Sequence, residues 1–128
     1  ELCTFVKAKV EDLPFDDNMF DMVVTTDVYD PAEVKRVLKP GGSFIVISLF
    51  EDPKVTPLQI AEQWGFELEI SLDVTDLAFA FNKAKETEAR LLHESNMVGA
   101  RELIEIMNES VAPYARGSRH YIMRLRKK

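Results

Sequence analysis

The chain has 128 residues, 46% of them hydrophobic, which is enough for one ordinary globular domain with a sizeable core. No window approaches the run of about 18 apolar residues that crosses a bilayer, and the first residues lack the basic-then-apolar layout of a signal peptide, so a soluble protein is expected. The net charge of −6 argues against a nucleic-acid grip over the whole surface.

Charge is unevenly spread. Residues 113–128 carry six Lys or Arg and no acid, whereas the first 112 hold 10 basic against 22 acidic residues, a net of −12. That basic end is open to two readings: a contact for RNA or an acidic partner, or a solvated last strand whose cations guard a sheet edge. The lone cysteine, Cys3, cannot form an internal disulfide and fits a reducing, cytoplasmic setting, where it reads as a small buried strand residue.

In chain order, residues 2–10 are rich in strand formers and predict a strand. A polar turn around Pro14 leads to a short buried strand over 20–26, where Asp21 is expected to bond backbone in the turn. Asp30-Pro31-Ala32-Glu33 then supplies a cap, a proline at the first helical position and a capping-box acid, opening a helix that runs to Leu38. Lys39-Pro40-Gly41-Gly42 reads as its stop, and Ser43 to Phe50 as a strand covered on both faces. Thr56 to Gln59 repeats the capping logic for a helix through Trp64, a core residue closed off by Gly65.

Phe66 to Val74 alternates, with Phe66, Leu68, Ile70 and Leu72 on one face. From Asp76 to Ala112 the spacing turns helical, most clearly at Ala100, Leu103, Ile104, Met107 and Val111, with Gly99 and the Asn96 region separating two helices and Pro113 ending the second. His120 to Arg126 alternates again as a last strand. Phe79 and Phe81 read as packed on the sheet or lining a pocket. His93 and His120 lack Cys or acid partners at ligand spacing, so no metal is expected.

Two blocks, Leu13-Pro14-Phe15 with Phe20-Asp21, and Arg36-Val37-Leu38-Lys39-Pro40-Gly41-Gly42, stand in the order in which similar blocks stand in class I S-adenosylmethionine-dependent methyltransferases. Roughly residues 3–70 resemble that family, with a faint similarity to members that modify lysines of proteins. The resemblance implies an α/β, Rossmann-like sheet of which residues 3–10 correspond to the third strand, 20–26 to the fourth, 43–50 to the fifth, 66–74 to the sixth and 120–126 to the antiparallel seventh. The first two strands, with the family's glycine-rich cofactor turn, have no counterpart here, and a chain that opens on Glu1 reads as the carboxyl-terminal part of a longer enzyme. The expected organisation is one partial domain over 1–128 with a helical insertion at about 76–119.

The resemblance also implies S-adenosylmethionine as cofactor, with Val10, Glu11, Asp12 and Leu13 against its adenine and Thr25 and Thr26 facing the methyl donor. Lys9 stands where the family often has an adenine-binding acid, and Glu11 or Asp12 could replace it; both also read as solvated turn acids. Asp27 is the first candidate for a catalytic or substrate-orienting group, with Tyr29 beside it, although an acid after a strand is also an ordinary turn former. The methyl acceptor, a protein or a small molecule, is left open. The competing reading is a noncatalytic assembly subunit that has lost its cofactor loop. In either case the strand near Val23 lacks a neighbour, which predicts a partner, a second copy or residues 3–10 along its edge.

Overall fold

A computed structural model describes residues 2–94 and 99–128. Four strands form one sheet in the order β1-β2-β4-β3, where β1 is Phe20–Thr26, β2 Leu38–Phe50, β3 Phe66–Asp73 and β4 Arg119–Lys127. The helices are α1 (Pro31–Val37), α2 (Pro57–Trp64), α3 (Thr75–Glu94) and α4 (Ala100–Ala115). The last strand therefore inserts between the two that precede it. Glu67 meets Arg126 while Asp73 meets Arg119, so β4 runs antiparallel to β3. The chain divides into two compact units: Glu1–Ser48 with Thr56–Leu72 and Ile122–Lys128, and Leu49–Val55 with Asp73–Tyr121.

In the first unit β1 and β2 pair in parallel, with Val23 opposite Phe44 and Thr25 opposite Val46. Phe44, Val46, Leu38, Phe66, Met123 and Leu125 are fully buried there, each contributing about 1.5 to 3 kcal/mol by leaving water. Asp30 caps α1 by accepting from the amides of Ala32 and Glu33, and Thr56 and Gln59 cap α2 reciprocally. Gly65 ends α2 in the left-handed region, as predicted. Trp64 is half-buried and packs its ring on Phe44 and Tyr29.

The first helix ends differently from the expectation. Leu38 is already extended, and β2 begins there, so Lys39 to Gly42 belong to the strand. Pro40 supplies the reason: it has no amide to continue the helix and it drives Lys39 out of the helical region. Between the pairs Phe20 with Leu38 and Met22 with Ser43, β2 advances five residues while β1 advances two. The excess is taken up as an irregularity around Gly41 (φ 78°), and Gly42 lets the backbone of Lys39 and Asp21 close in. Asp21 pairs its carboxylate with Lys39 at 3.2 Å rather than bonding backbone.

Residues 2–10 form no strand; apart from a bridge between Lys9 and Asp12 they are unpaired, and Cys3 is exposed rather than buried. Strand propensity alone does not order a segment whose backbone has no neighbour to bond. These residues do not lie along β1, which remains an edge with Met22 51% and Val24 58% exposed. The other edge, β3, buries only Phe66 of its alternating set; Ile70 and Leu72 are each 55% exposed. The strand carrying the basic end is internal, so its cations guard no edge. Arg124 and Arg126 instead pair with Glu67 and Glu69 of β3.

In the second unit, α3 and α4 are joined by Arg90, which binds Glu86 on its own helix and Asn108 on the other. Burial pushes the Asp73 carboxyl up, but hydrogen bonds from Thr75 and Arg119 outweigh it and hold the group at about 2. Pro113 lies within the last turn of α4, which ends two residues later at Ala115 rather than at the proline itself. Gly99 precedes α4 as expected, whereas Asn96 lies outside the described residues. Phe81 is 62% exposed and Phe79 makes an edge contact with Tyr114, so burial on the sheet does not hold for either. No helix among the described residues is long and apolar enough to cross a membrane.

A Cβ at Gly42 would lie 2.8 Å from the Lys39 carbonyl oxygen and 3.1 Å from that of Asp21. Gly42→Ala is therefore expected to destabilise the protein by about 1 to 3 kcal/mol, read from the denaturant midpoint. An unchanged midpoint would show that the β1–β2 irregularity has room to spare.

Candidate functional site

The first unit holds a cavity of about 290 Å³ whose walls are mostly apolar. Val10, Leu13 and Phe15 line one side, Phe20, Val23 and Thr25 of β1 another, and Val34 and Val37 of α1 a third, with Val28, Tyr29 and Asp30 closing the loop end. The two sequence blocks thus meet around one space. Of the expected cofactor residues, Val10, Leu13 and Thr25 reach this cavity and Glu11, Asp12 and Thr26 do not. Of the two catalytic candidates Tyr29 lines it and Asp27 does not.

The turn after β1 is tightly held. The amide of Asp27 donates to the Ile47 carbonyl at 3.1 Å, extending the parallel ladder, and the amide of Val28 donates back to Thr26 at 2.7 Å. Asp27 sits between them at φ 61°, a left-handed conformation uncommon for a residue with a side chain and often found at functional sites. Two residues on, the Tyr29 hydroxyl donates to Ser48 at 3.1 Å, and its ring stands edge-on to Phe44 and Trp64. Burial raises the Tyr29 phenol above its ordinary value, the Ser48 contact lowers it, and the charge of Asp27 raises it again, with a net upward shift. Tyr29 is therefore a neutral hydroxyl at physiological pH. Ser48 escaped the sequence reading because it lies inside an apolar strand and carries no spacing signal.

Glu33 and Arg36 were also missed as site residues, Glu33 having been read as a capping acid. Its carboxylate does not reach back to Asp30. It accepts the Leu13 amide at 2.8 Å and the Arg36 guanidinium at 2.7 and 3.0 Å. Arg36 in turn donates to the carbonyls of Leu13 at 3.0 Å and Phe15 at 2.8 Å, and to Asp17 at 2.8 Å. The Arg36 contact first, and the Leu13 amide second, hold the Glu33 carboxyl at about 2.

A ligand group must match these walls. Thr25 lines the cavity, but its Oγ1 is buried away from solvent and has no hydrogen-bond partner among the described residues, so the surface the cavity presents is almost wholly apolar. Apolar walls of this kind suit the face of an aromatic ring such as adenine. Among the described residues, the one charged side chain lining the cavity is Asp30, whose carboxylate is used in capping α1.

A sheet in the order β1-β2-β4-β3, with a parallel pair and the last strand inserted, is the arrangement that the resemblance to class I methyltransferases implies for the later strands. The sequence agrees: the family model described as a methyltransferase domain matches residues 1–46. The chain is 36% identical over 73 residues to the ubiquinone/menaquinone biosynthesis C-methyltransferase UbiE of Coxiella burnetii, an alignment covering 50% of this chain and 29% of that protein. The chain thus spans less than a third of the length of the curated relatives it matches. Among solved structures, the (4+2)-cyclase SpnF aligns with a TM-score of 0.65 at 19% identity, over 96% of this chain and 55% of that one. Geranyl diphosphate C-methyltransferase from Streptomyces coelicolor A3(2), in complex with Mg2+, geranyl diphosphate and S-adenosyl-L-homocysteine, aligns with a TM-score of 0.59 at 15% identity, over 94% and 52%. The resemblance to class I methyltransferases read from the two blocks therefore stands in both sequence and fold.

Glu33 has a folded value of about 2 against an ordinary 4.5, so its stabilisation is present in full above the higher value and is lost as pH falls through the lower. The stability difference between the wild type and Glu33→Gln is expected at neutral pH and to shrink from about pH 4.5 down to about pH 2, followed by denaturant titration. A difference that stays constant across that window would mean that the charge is not what holds Leu13.

Proposed function

We propose that this chain is part of an S-adenosylmethionine-dependent methyltransferase and holds the adenine side of the cofactor in the cavity between the two sequence blocks. The observation that carries this reading is the convergence of Val10, Leu13 and Thr25 on one apolar cavity. S-adenosylmethionine supplies, when bound, a methyl group on a sulfonium. The residues of this chain contribute position and a proton acceptor. Val10, Leu13 and Thr25 cover the ring face. Glu11, Asp12 and Thr26, away from the cavity walls, are left for the ribose and the donor end.

Asp27 is assigned the role of accepting the proton that the acceptor loses, or of orienting the acceptor, from a turn held on both sides by backbone hydrogen bonds. Tyr29, neutral and anchored on Ser48, orients the same group. The acceptor is a small molecule or a protein, and a cavity taken by the adenine does not choose between them. The SpnF likeness shows that this fold also hosts a protein described as a cyclase, so the activity has to be tested rather than taken from the fold. Nucleic acid is the less favoured partner, because Arg119, Arg124 and Arg126 each already face a carboxylate on β3. A partner or a second copy along the β1 edge near Val23 would complete the sheet, and the exposed thiol of Cys3 suits a reducing, cytoplasmic setting.

The test uses the full-length natural protein. Calorimetry with S-adenosylmethionine is expected to show binding. Asp27→Asn is expected to lower kcat by about a hundredfold with the cofactor KM kept, and Tyr29→Phe by less. Full turnover in Asp27→Asn would remove that residue from the mechanism; absence of cofactor binding would leave the noncatalytic reading in its place.

A further inference from the structure

We propose that Glu33 and Arg36 are positioning residues for the cofactor, which they hold in place through the loop Leu13–Phe15 without lining the cavity themselves. The inference rests on the cofactor reading above and adds to it the device that sets affinity. Leu13 and Phe15 form cavity wall, yet the segment before them has no strand partner and is exposed from Leu2 to Lys9. Sheet pairing therefore does not place this wall.

One ion pair places it instead. Glu33 takes the Leu13 amide, and Arg36 gives one hydrogen to the Leu13 carbonyl and another to the Phe15 carbonyl. Both backbone groups of Leu13 are thus held by a single carboxylate and guanidinium, which also bind each other through two hydrogen bonds. Two-point fixation sets the peptide's orientation as well as its distance, and so the direction in which the Leu13 side chain faces. A third contact, from the Asn18 amide to the Arg36 carbonyl at 2.9 Å, holds the far end of the loop to the same residue. Arginine is required for this work, because a lysine ammonium keeps the charge but cannot present a planar fork to the carboxylate and two carbonyls at once.

Affinity for S-adenosylhomocysteine, cofactor KM and kcat are to be measured on the full-length protein for Arg36→Lys and Glu33→Gln. Thr56→Ala serves as the control: it removes the cap of α2, lowers stability and does not touch the cavity. Arg36→Lys is expected to weaken S-adenosylhomocysteine binding about tenfold and to raise the cofactor KM in step, with kcat at saturation within about twofold of wild type. Glu33→Gln, the milder change, is expected to give a smaller loss in the same direction. Amide exchange at Leu13 is expected to quicken in both variants and not in Thr56→Ala.

A wild type that binds no S-adenosylhomocysteine sinks the cofactor reading itself. A wild type that binds, with both variants binding equally well, overturns this inference alone. An equal loss of affinity in Thr56→Ala also overturns it, since the effect would then follow general stability. Should Arg36→Lys fail to fold, Glu33→Gln and its Leu13 exchange rate decide.

Discussion

The Arg36 guanidinium is the point on which the first unit turns. It reaches from a seven-residue helix to a loop some twenty positions earlier and makes five hydrogen bonds there and to Glu33. An exposed ion pair contributes little to stability, but this one is shielded on the Glu33 side and is bidentate, and it satisfies backbone groups that no strand partner serves. Its consequence is geometric. It brings Leu13 to Phe15, the first residues of one sequence block, against Arg36, the first residue of the other, beside the cavity that both blocks line.

The same economy governs the turn after β1. The parallel ladder with β2 continues one residue past the strand, through the amide of Asp27, and then reverses at a left-handed backbone. That reversal puts Tyr29 over the aromatic group of Phe44 and Trp64, where Ser48 receives its hydroxyl. A parallel pair imposes this arrangement, since the carboxyl ends of its strands lie side by side and the groups that leave them share one end of the sheet. Asp30 then starts α1 at once, so the turn is bounded by a ladder on one side and a helix cap on the other.

Much of the architecture could be read from local pattern. The helix starts at Asp30 and Thr56, the stop at Gly65 and the alternation of Tyr121, Met123 and Leu125 follow from caps and periodicity that need no knowledge of the rest of the chain. The site was less legible. Val10, Leu13, Thr25 and Tyr29 came from the family likeness and are found around one cavity, but Glu33 carries the same capping-box signature whether it caps its own helix or binds a distant loop. The difference depends on where Arg36 and Leu13 lie in space. Ser48 likewise looks like any strand serine until a tyrosine from another turn meets it.

Sequence by itself determined which segments form helices, where α2 stops, and which family the two blocks resemble, because these depend on dihedral preference and side-chain spacing within a few residues. Tertiary structure decided that residues 2–10 stay unpaired, that β2 begins at Leu38 and that β4 is an internal strand. Each of those outcomes is a matter of which backbone finds a neighbour. A strand is made by its partner as much as by its own residues, and partners many positions apart leave no mark in local pattern.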